Sequence, residues 1–445
     1  MESVELFCAD CESFEPVRSH AEENCEMRTV LAASYRALAL RPVPGLNRRV
    51  LLFLCHSLLF HIALLGIADI LLNFYLVSIG ADAASISVLQ SLPRLSGFLV
   101  GLPIGLVANR VGNRRLILLS TAGLALSVAA TALTQSIPVI AISRFVWGAC
   151  FGANQVVKPP FMVTLTDRSE HTATFSYHNL AAMFGVAIGS VLGGLLPLLA
   201  SEALSIAGTA SLRPEEMPLA YRVSIVGAAL VLLLSNLPIL ALRRPSTRRE
   251  AAASASSGLW RKAPWPRLLR LTFPLFVFGI SGGLTFPFFN LIFRELFGLA
   301  DSAVGAVIGL GWVAMGLMPL LNPVWEARWG RAGALTALMM VSAGAFVGLS
   351  LSRAILVALL FYVLAIGIRN TMQPLFQPLL MDSLPAVFHN IASSVGLVMW
   401  NIGWFCSTLG FGAMQAAIGT RNILLVAAFF VVLNGLSIHL TAKRR

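Results

Sequence analysis

The chain has 445 residues, of which 57% are hydrophobic and 12% are charged. Because a soluble domain usually carries about 25% charged residues, this composition excludes a large water-facing surface. The net charge of +12 could indicate nucleic-acid binding, but the Lys and Arg residues lie mostly between long apolar segments, as they do in membrane proteins. We therefore expect a protein that lies in the lipid bilayer and binds no nucleic acid.

The apolar segments are long enough to cross the bilayer as helices, since about 20 residues at about 1.5 Å each span a hydrocarbon core of roughly 30 Å. In chain order, the twelve predicted transmembrane helices are 50–77, 84–107, 115–134, 138–158, 176–199, 219–242, 271–296, 302–324, 334–352, 354–381, 387–414 and 422–441. The sequence thus predicts an all-α membrane protein.

An acidic segment, 1–48, precedes the predicted helices, and we expect it to be a disordered cytoplasmic tail. Its Cys8, Cys11, His20 and Cys25 are possible zinc ligands, but their spacing matches no standard zinc module. We therefore expect neither a metal nor a cofactor.

The Lys and Arg residues also predict the orientation of the chain. The segment 243–270 contains eight of them and one acidic residue, Glu250, and its composition predicts a flexible linker. The positive-inside rule places this linker and both termini in the cytoplasm. The predicted organisation is a tail (1–48), a six-helix bundle (49–242), the linker (243–270), a second six-helix bundle (271–441) and a short cytoplasmic tail (442–445).

The two predicted bundles carry related sequences. GANQVVKPPFMVTLTD, which starts at Gly152, and GIRNTMQPLFQPLLMD, which starts at Gly367, are identical at five positions, with an offset of 215. Asn73 matches Asn290 at an offset of 217. A duplicated six-helix unit is typical of transporters whose binding site lies near the middle of the membrane, between the repeats. The predicted fold is therefore two pseudo-symmetric six-helix bundles.

The loop after the second predicted helix reads GLVANRVGNRR from Gly105 to Arg115. It resembles the signature G-x-L-A-D-R-x-G-R-K of the major facilitator superfamily, with Asn109 in place of the acidic residue. The resemblance extends over about 50–441 and implies the major facilitator fold. It also implies a cytoplasmic gate of arginines at helix ends, although these arginines could serve topology alone. The residues expected in this gate are Gly105, Asn109, Arg110, Gly112, Arg114, Arg328 and Gly330.

Two glycine patterns extend the resemblance. Arg144 in the fourth predicted helix is followed by glycines four and eight residues on, as in the family. The fifth helix contains G-x-x-x-G-S-x-x-G-G, which is similar to the motif G-x-x-x-G-P-x-x-G-G of drug–proton antiporters, with Ser190 in place of proline. Both an antiporter and ordinary close helix packing fit this pattern. The expected helix-packing glycines are Gly148, Gly152, Gly185, Gly189, Gly193 and Gly194.

Ionisable side chains inside a membrane are costly and usually face a cavity or a partner. Asp69, Arg94 and Arg144 are predicted at similar depths in the first bundle. We expect Asp69 to be the proton-coupling carboxylate, a role that the resemblance also implies for an acid in the first helix, with the two arginines beside it. The alternative is a static ion pair that only holds helices together. His61, about two turns from Asp69, either relays protons or packs between helices.

A further set of polar residues marks the expected substrate cavity: Asn73, Asn290, Arg369, Asn370, Asn154 and Gln155. Asn73 and Asn290 either line the cavity or hydrogen-bond between helices. The other four are predicted deeper toward the cytoplasm, where they contact substrate or have a structural role at helix ends. The arginines in this region favour substrates with negative charge.

We expect a secondary active transporter that exports a small organic molecule by alternating access, in exchange for protons. Proton-coupled uptake is an alternative within transport, and a transporter-fold sensor or lipid-handling protein is an alternative outside it. The sequence shows neither a nucleotide-binding loop for ATP-driven transport nor a catalytic constellation, so we do not expect an enzyme. The expected partners are a small-molecule substrate, protons and the lipid bilayer of the cell membrane, and we expect a monomer.

Overall fold

The structure is a computed structural model that describes residues 47–165, 171–203, 218–242, 262–385 and 388–443. The first half of the chain contains α1 (Arg48–Ser78), α2 (Ala83–Val111), α3 (Asn113–Ala132), α4 (Ile137–Val163), α5 (His171–Ala203) and α6 (Pro218–Leu234, continued by Asn236–Ala241). The second half contains α7 (Trp265–Gly283 and Phe289–Phe297), α8 (Asp301–Leu317), α9 (Asn322–Leu351), α10 (Ile355–Asn370 and Met372–Asp382), α11 (His389–Ile418) and α12 (Thr420–Lys443). The four possible zinc ligands of the N-terminal tail and most of the predicted linker lie outside the described residues.

Among the described residues, ten helical segments are long and apolar enough to span a membrane. One of them, Asp301–Leu351, contains two crossings, because the backbone leaves helical geometry at Gly330. The helix α2, with 29 residues, is long enough for a further crossing. The described residues are therefore consistent with twelve transmembrane helices, six in each half, and the predicted all-α fold is confirmed.

Two helices are irregular near the centre of the molecule. In α1, a π-helical stretch, Ile62–Ala68, separates two α-helical parts. In α7, a 3-10 turn, Phe286–Phe288, interrupts the helix. Pro287 accounts for the second break, since proline has no backbone N–H and its ring clashes with the carbonyl four residues earlier. Both irregular segments adjoin the site described below.

The helix α7 begins at Trp265, earlier than the predicted 271. Pro266 occupies the first turn, where the fixed φ of proline favours helix initiation. Arg267 on the next position donates to the Ser383 carbonyl oxygen at 2.9 Å. Hydropathy places the start later because this first turn is basic rather than apolar.

Glycines allow the two halves to pack closely at two equivalent places. A Cβ atom added to Gly194 of α5 would lie 2.9 Å from the Cα atom of Ser302 in α8. A Cβ atom added to Gly412 of α11 would lie 2.8 Å from the Cα atom of Ala84 in α2. Small residues at such contacts let backbones approach in the membrane, so α5 pairs with α8 and α2 pairs with α11.

The helix ends define two sides of the molecule. We call the side where α1 begins and α6 ends the linker side; there Arg114 Nε donates to the Ile239 carbonyl oxygen at 3.1 Å. We call the opposite side the far side; there Tyr75 Oη donates to the Thr134 carbonyl oxygen at 2.6 Å. The site lies between these two sides.

Candidate functional site

A cavity between the two halves contains the carboxylate of Asp69. This residue directly follows the π-helical part of α1, and its side chain is 38% exposed. π-Helical turns change the direction of the residues that follow them and occur frequently at functional sites. The walls of the cavity come from α1, α7, α8 and α10. Of the described residues that line it, Asp69 is the only acidic or basic one.

The partner of Asp69 is Arg144 of α4. Arg144 Nη2 lies 3.8 Å from Asp69 Oδ1 and donates to Gln90 Oε1 at 3.0 Å. The guanidinium also lies over the ring of Trp147, 4.8 Å from its centroid. A buried charge requires pairing and hydrogen bonds, and these three partners provide them. The structure thus brings together two of the three charged residues that are predicted at this depth.

A hydrogen-bonded chain continues from Arg144 to the second half. Gln90 Nε2 donates to Asn73 Oδ1 at 2.7 Å, and Asn73 Nδ2 donates to Asn290 Oδ1 at 2.9 Å. Asn290 Nδ2 in turn donates to the Ile70 carbonyl oxygen at 2.8 Å. The two asparagines that the repeat relates by sequence therefore meet directly, and they connect α1 to α7.

Gln90 is the member of this chain that is not predicted from the sequence. It lies in α2 one turn before Arg94, and it is buried. A glutamine in the first turns of a long helix could equally face solvent, so the residue type alone does not indicate that Gln90 is buried. Its four-residue spacing from a buried arginine is the one feature that could have indicated a shared face.

Arg94 has a different environment. Its guanidinium carbon lies 4.2 Å from the ring centroid of Trp404 and 4.9 Å from that of Trp400, both in α11. A guanidinium over aromatic faces is attracted by their quadrupoles. Arg94 therefore links the two halves through aromatic contacts, and it acts on Asp69 only through space.

The wall opposite Asp69 is aromatic. It contains Phe286 and Phe289 of α7, Trp312 of α8 and Tyr362 of α10. The Phe289 and Tyr362 rings meet edge to face at 4.8 Å, and the Phe286 and Phe289 rings at 5.7 Å. The sequence does not predict this wall, because an aromatic residue in an apolar helix faces lipid as readily as it faces a cavity.

Arg369 and Asn370 are directed at protein groups in the second half. Arg369 is buried, donates to Ser281 Oγ at 3.1 Å, and lies 3.8 Å from the ring centroid of Phe278 in α7. Asn370 Nδ2 donates to the Met315 carbonyl oxygen of α8 at 2.8 Å. Neither residue lines the cavity around Asp69.

The repeat-related residues of the first half are also separate from that cavity. Asn154 is buried and donates to two hydroxyl groups of α3, those of Ser120 at 3.1 Å and Thr121 at 3.2 Å. Gln155 is exposed. The three described arginines of the core thus all have protein partners, and the expectation of a negatively charged substrate, which rested on them, loses its support.

The glycines of α4 and α5 lie at helix contacts. A Cβ atom at Gly148 would overlap Pro93 of α2, and one at Gly152 would lie 3.4 Å from the Cα atom of Gly97. On α5, three glycines face α1. A Cβ atom added to Gly185 would lie 2.9 Å from the Leu58 carbonyl oxygen. Cβ atoms added to Gly189 and Gly193 would lie 2.8 Å from the Cα atom and 3.1 Å from the carbonyl oxygen of Gly66, respectively. These glycines therefore position the π-helical part of α1 that precedes Asp69.

The predicted gate residues are partly described. Gly112 and Gly330 have φ values of 87° and 66°, which favour glycine, and each ends a tight connection between helices. Arg114 donates to carbonyl oxygens at the end of α6, and the Arg328 guanidinium lies 5.8 Å from the ring centroid of Trp329. Gly105, Asn109 and Arg110 lie in the part of α2 whose side chains are outside the described set.

On the far side, an ion pair within the second half contacts residues of the first half. Arg294 of α7 pairs with Asp301 of α8, and Tyr221 of α6 donates to the same carboxylate. The Arg294 guanidinium lies 3.6 Å from the ring centroid of Phe74 in α1. Together with the pair Asn73 and Asn290, these contacts join the halves between the cavity and the far side.

The model of the Major Facilitator Superfamily matches residues 54–408 of this chain. The chain belongs to that superfamily. The solved structure of a bacterial homolog to the human lysosomal transporter Spinster, inward-facing and unoccupied, aligns with a TM-score of 0.71 at 13% identity over 90% of this chain and 98% of that chain. The nucleoside transporter NupG aligns with a TM-score of 0.68 at 12% identity over 89% and 99% of the two chains. A D-xylose-proton symporter aligns with a TM-score of 0.70 at 14% identity over 88% and 96%.

Membership of the Major Facilitator Superfamily confirms the resemblance seen in the gate loop and the glycine patterns. It identifies the chain as a multi-pass membrane protein with a transporter fold, and it supports transport rather than enzymatic chemistry. The solved structures share too little sequence to show more than the fold.

Proposed function

We propose that this superfamily member is a proton-coupled secondary transporter that exports a small organic molecule across the cell membrane by alternating access. The observation that carries the proposal is Asp69, a carboxylate that faces the cavity between the halves. The polar chain from Asp69 reaches the contact between Asn73 and Asn290. A carboxylate inside a membrane bundle is the residue type that typically carries a proton in coupled transport.

The coupling follows from the geometry of this chain. When Asp69 carries a proton, its attraction for Arg144 is lost, and Arg144 then depends on Gln90. Gln90 also holds the amide of Asn73, which joins the first half to the second. Protonation of Asp69 therefore biases the contact that must open for the far side to become accessible.

The cavity favours a substrate with an apolar body and a positive charge. Phe286, Phe289, Trp312 and Tyr362 present aromatic surface, and Asp69 presents a negative charge. Aromatic faces and a carboxylate together recognise organic cations. A cation and a proton would then compete for Asp69, which is the simplest physical basis for exchange of one for the other.

The direction follows from the proposed orientation. The Lys and Arg residues of 243–270 support a cytoplasmic linker, and the contacts that join the halves lie toward the far side. The structure would then be open toward the cytoplasm, ready to receive an outgoing molecule. Proton-coupled uptake uses the same carboxylate and is the second candidate; one of the aligned structures is a proton symporter.

Transport by purified protein in proteoliposomes with an internal pH-sensitive dye tests the proposal. The compound set includes tetraphenylphosphonium and tetraphenylborate, which have similar size and opposite charge. We expect movement of protons that depends on the cation, is absent with the anion and is lost in Asp69→Asn. Cation-driven proton movement of equal rate in wild type and Asp69→Asn would contradict the proposal.

Asp82→Asn is the matched control for this experiment. Asp82 is an exposed carboxylate that caps the start of α2, and hydrogen bonds from the side chain and backbone of Ser85 hold its pKa below the ordinary value. It therefore stays charged at assay pH in the wild type, yet it lies outside the membrane-spanning part of the chain. Its replacement removes one negative charge without changing the cavity, so transport should continue at the wild-type rate.

A further inference from the structure

A second group of titratable residues lies inside the first half, on the linker side of Asp69. It contains Lys158 of α4, His56 and His61 of α1, and His178 of α5. The ring of Phe60 lies between the two histidines of α1, 5.7 Å from His56 and 5.1 Å from His61. The proposed transport mechanism described above does not use any of these residues.

Lys158 is the unusual member of this group. Its side chain is 2% exposed, and Nζ lies 3.7 Å from the ring centroid of Phe60. Among the residues that the structure describes, Nζ has no hydrogen-bond partner. The groups that face it from the packed helices are the three histidines, and among the described residues no carboxylate pairs with it. A buried ammonium with neither an acceptor nor a counter-charge costs several kcal/mol, so packing alone does not explain a lysine here.

The histidines are oriented by hydrogen bonds. His56 Nδ1 donates to the Ser235 carbonyl oxygen at 2.7 Å, which leaves Nε2 as a buried acceptor with no partner among the described residues. His61 Nδ1 donates to the Ser57 carbonyl oxygen at 2.7 Å. Within the described part of the chain, the cluster thus holds an amine and a ring nitrogen that each lack a hydrogen-bond partner.

A hydrogen-bonded path leads from the cluster to its edge. The Ser57 hydroxyl lies 3.3 Å from His61 Nδ1 and 2.9 Å from His178 Nδ1. His178 is half-buried, whereas His56 and His61 are buried. The contact exists because α5 lies close to α1 at Gly185, two turns from His178 on the same face. His178 is therefore the member through which a proton can reach the cluster.

The geometry points to Lys158 as a second proton-carrying residue of the transport cycle, loaded by way of His178 at the edge of the cluster. In the loading step, the lone pair of the Nζ amine takes up one proton and becomes an ammonium. The proton comes from hydronium on the linker side, enters at His178 and returns to water there when the amine is restored; one O–H bond of hydronium is broken for the N–H bond that forms, and no other bond changes. The face of Phe60 then stabilises the ammonium.

This inference rests on proton coupling as proposed above, but it concerns a different residue and is tested without a substrate. Purified full-length protein in proteoliposomes is adsorbed on a solid-supported membrane, and the charge displaced by an acid step is measured. Wild type should displace charge at two sites. Lys158→Met should lose roughly half of the displaced charge, and Asp69→Asn the other half, since each proton moves into the membrane field separately.

The variants separate the two proposals. Loss in Lys158→Met with full charge in Asp69→Asn would support the cluster and contradict coupling at Asp69; the reverse pattern would overturn the present inference and leave the Asp69 proposal standing. Equal charge in wild type and Lys158→Met, or no displaced charge in wild type, also overturns it. The chain has three lysines, and Lys262→Met is the matched control that should behave as wild type.

Two further variants exclude a purely structural role. Lys158→Arg keeps a cation at this position but cannot lose its proton, so it should displace as little charge as Lys158→Met while folding normally. His178→Phe keeps the ring contact with Phe53 (5.4 Å between centroids) and should slow the displacement about tenfold or more without reducing its total. Unchanged kinetics in His178→Phe would overturn the path.

Discussion

The two halves of this transporter share one scaffold but present different chemistry to the cavity. The first half presents Asp69, paired with Arg144 and connected through Gln90. At the offset of 217 that relates Asn73 to Asn290, Asp69 corresponds to Phe286 and Gln90 to Val307; at the offset of 215 that relates Gly152 to Gly367, Arg144 corresponds to Leu359. Among the residues of this hydrogen-bonded chain, only Asn73 corresponds to a polar residue in the second half. That residue is Asn290, and the two side chains are hydrogen-bonded to each other.

This difference teaches how duplication can divide a task. Under the proposed function, charge and hydrogen bonds in the first half respond to protons, whereas aromatic rings in the second half offer surface to an organic molecule. The hydrogen bond between Asn73 and Asn290 is the contact through which a change in the first half can affect the second half. The predictions below test this division, from the largest expected effect to the smallest.

The largest effect is expected when the carboxylate of Asp69, in the first half, is removed. We expect Asp69→Asn to lower proton-driven transport by roughly 100-fold or more, because the proton acceptor is lost, while the protein stays folded. Phe286→Leu, at the corresponding position of the second half, should keep proton coupling. The proteoliposome assay measures both, and loss of coupling in Phe286→Leu would show that the halves do not divide the task.

The aromatic half should determine affinity. We expect Trp312→Leu and Tyr362→Leu each to weaken binding of an organic cation by about tenfold, since loss of a desolvated cation–π contact costs up to about 2 kcal/mol. The number of protons moved per substrate should stay the same. Equilibrium binding to the purified protein measures the affinity, and a change in proton number with unchanged affinity would reverse the assignment of the two halves.

The asparagine pair should couple the halves energetically. Asn73→Leu and Asn290→Leu each leave a buried amide without its partner, so we expect each to destabilise the protein by about 1–3 kcal/mol. The double variant should cost less than the sum, with a coupling energy of about 1 kcal/mol. Thermal unfolding of the four proteins in detergent gives this cycle; strictly additive effects would mean that the pair carries no interaction.

The smallest effect is expected at Gln90. Gln90→Met keeps the volume but removes the link between Arg144 and Asn73, so transport should fall by only about tenfold if Arg144 keeps Asp69 as its partner. The dependence of transport on Asp69 should persist in this background. A Gln90→Met protein with wild-type transport would show that the proton signal reaches the second half by another route.

The fold could be predicted from the sequence because its signal is summed over many residues. Apolar runs of about 20 residues identify the helices, and the repeat offset pairs Asn73 with Asn290 before any contact is known. The prediction of an ionisable centre at Asp69 and Arg144 rests on the cost of charge in a membrane, which sequence alone reveals. These inferences do not depend on which way a side chain points.

The rest of the site depends on side-chain direction within helices that are apolar all round. Arg369 and Asn154 lie on the predicted helices but contact neighbouring helices, and Trp312 and Tyr362 line the cavity without any distinguishing pattern in the sequence. Helical periodicity does not predict the direction of these side chains, because lipid, neighbouring helices and an aromatic cavity all favour apolar residues. The helix that carries each residue could be predicted from the sequence, whereas the direction of its side chain could not.

The central claim is that Asp69 exchanges a proton for an organic cation held against the aromatic wall. Calorimetric titration of purified protein with the tightest-binding cation, in two buffers of different ionisation enthalpy, counts the protons released on binding. The account predicts release of protons by wild type, none by Asp69→Asn, and undiminished release with weaker affinity by Trp312→Leu. Binding that releases no proton in wild type, or the same number in Asp69→Asn, would contradict it.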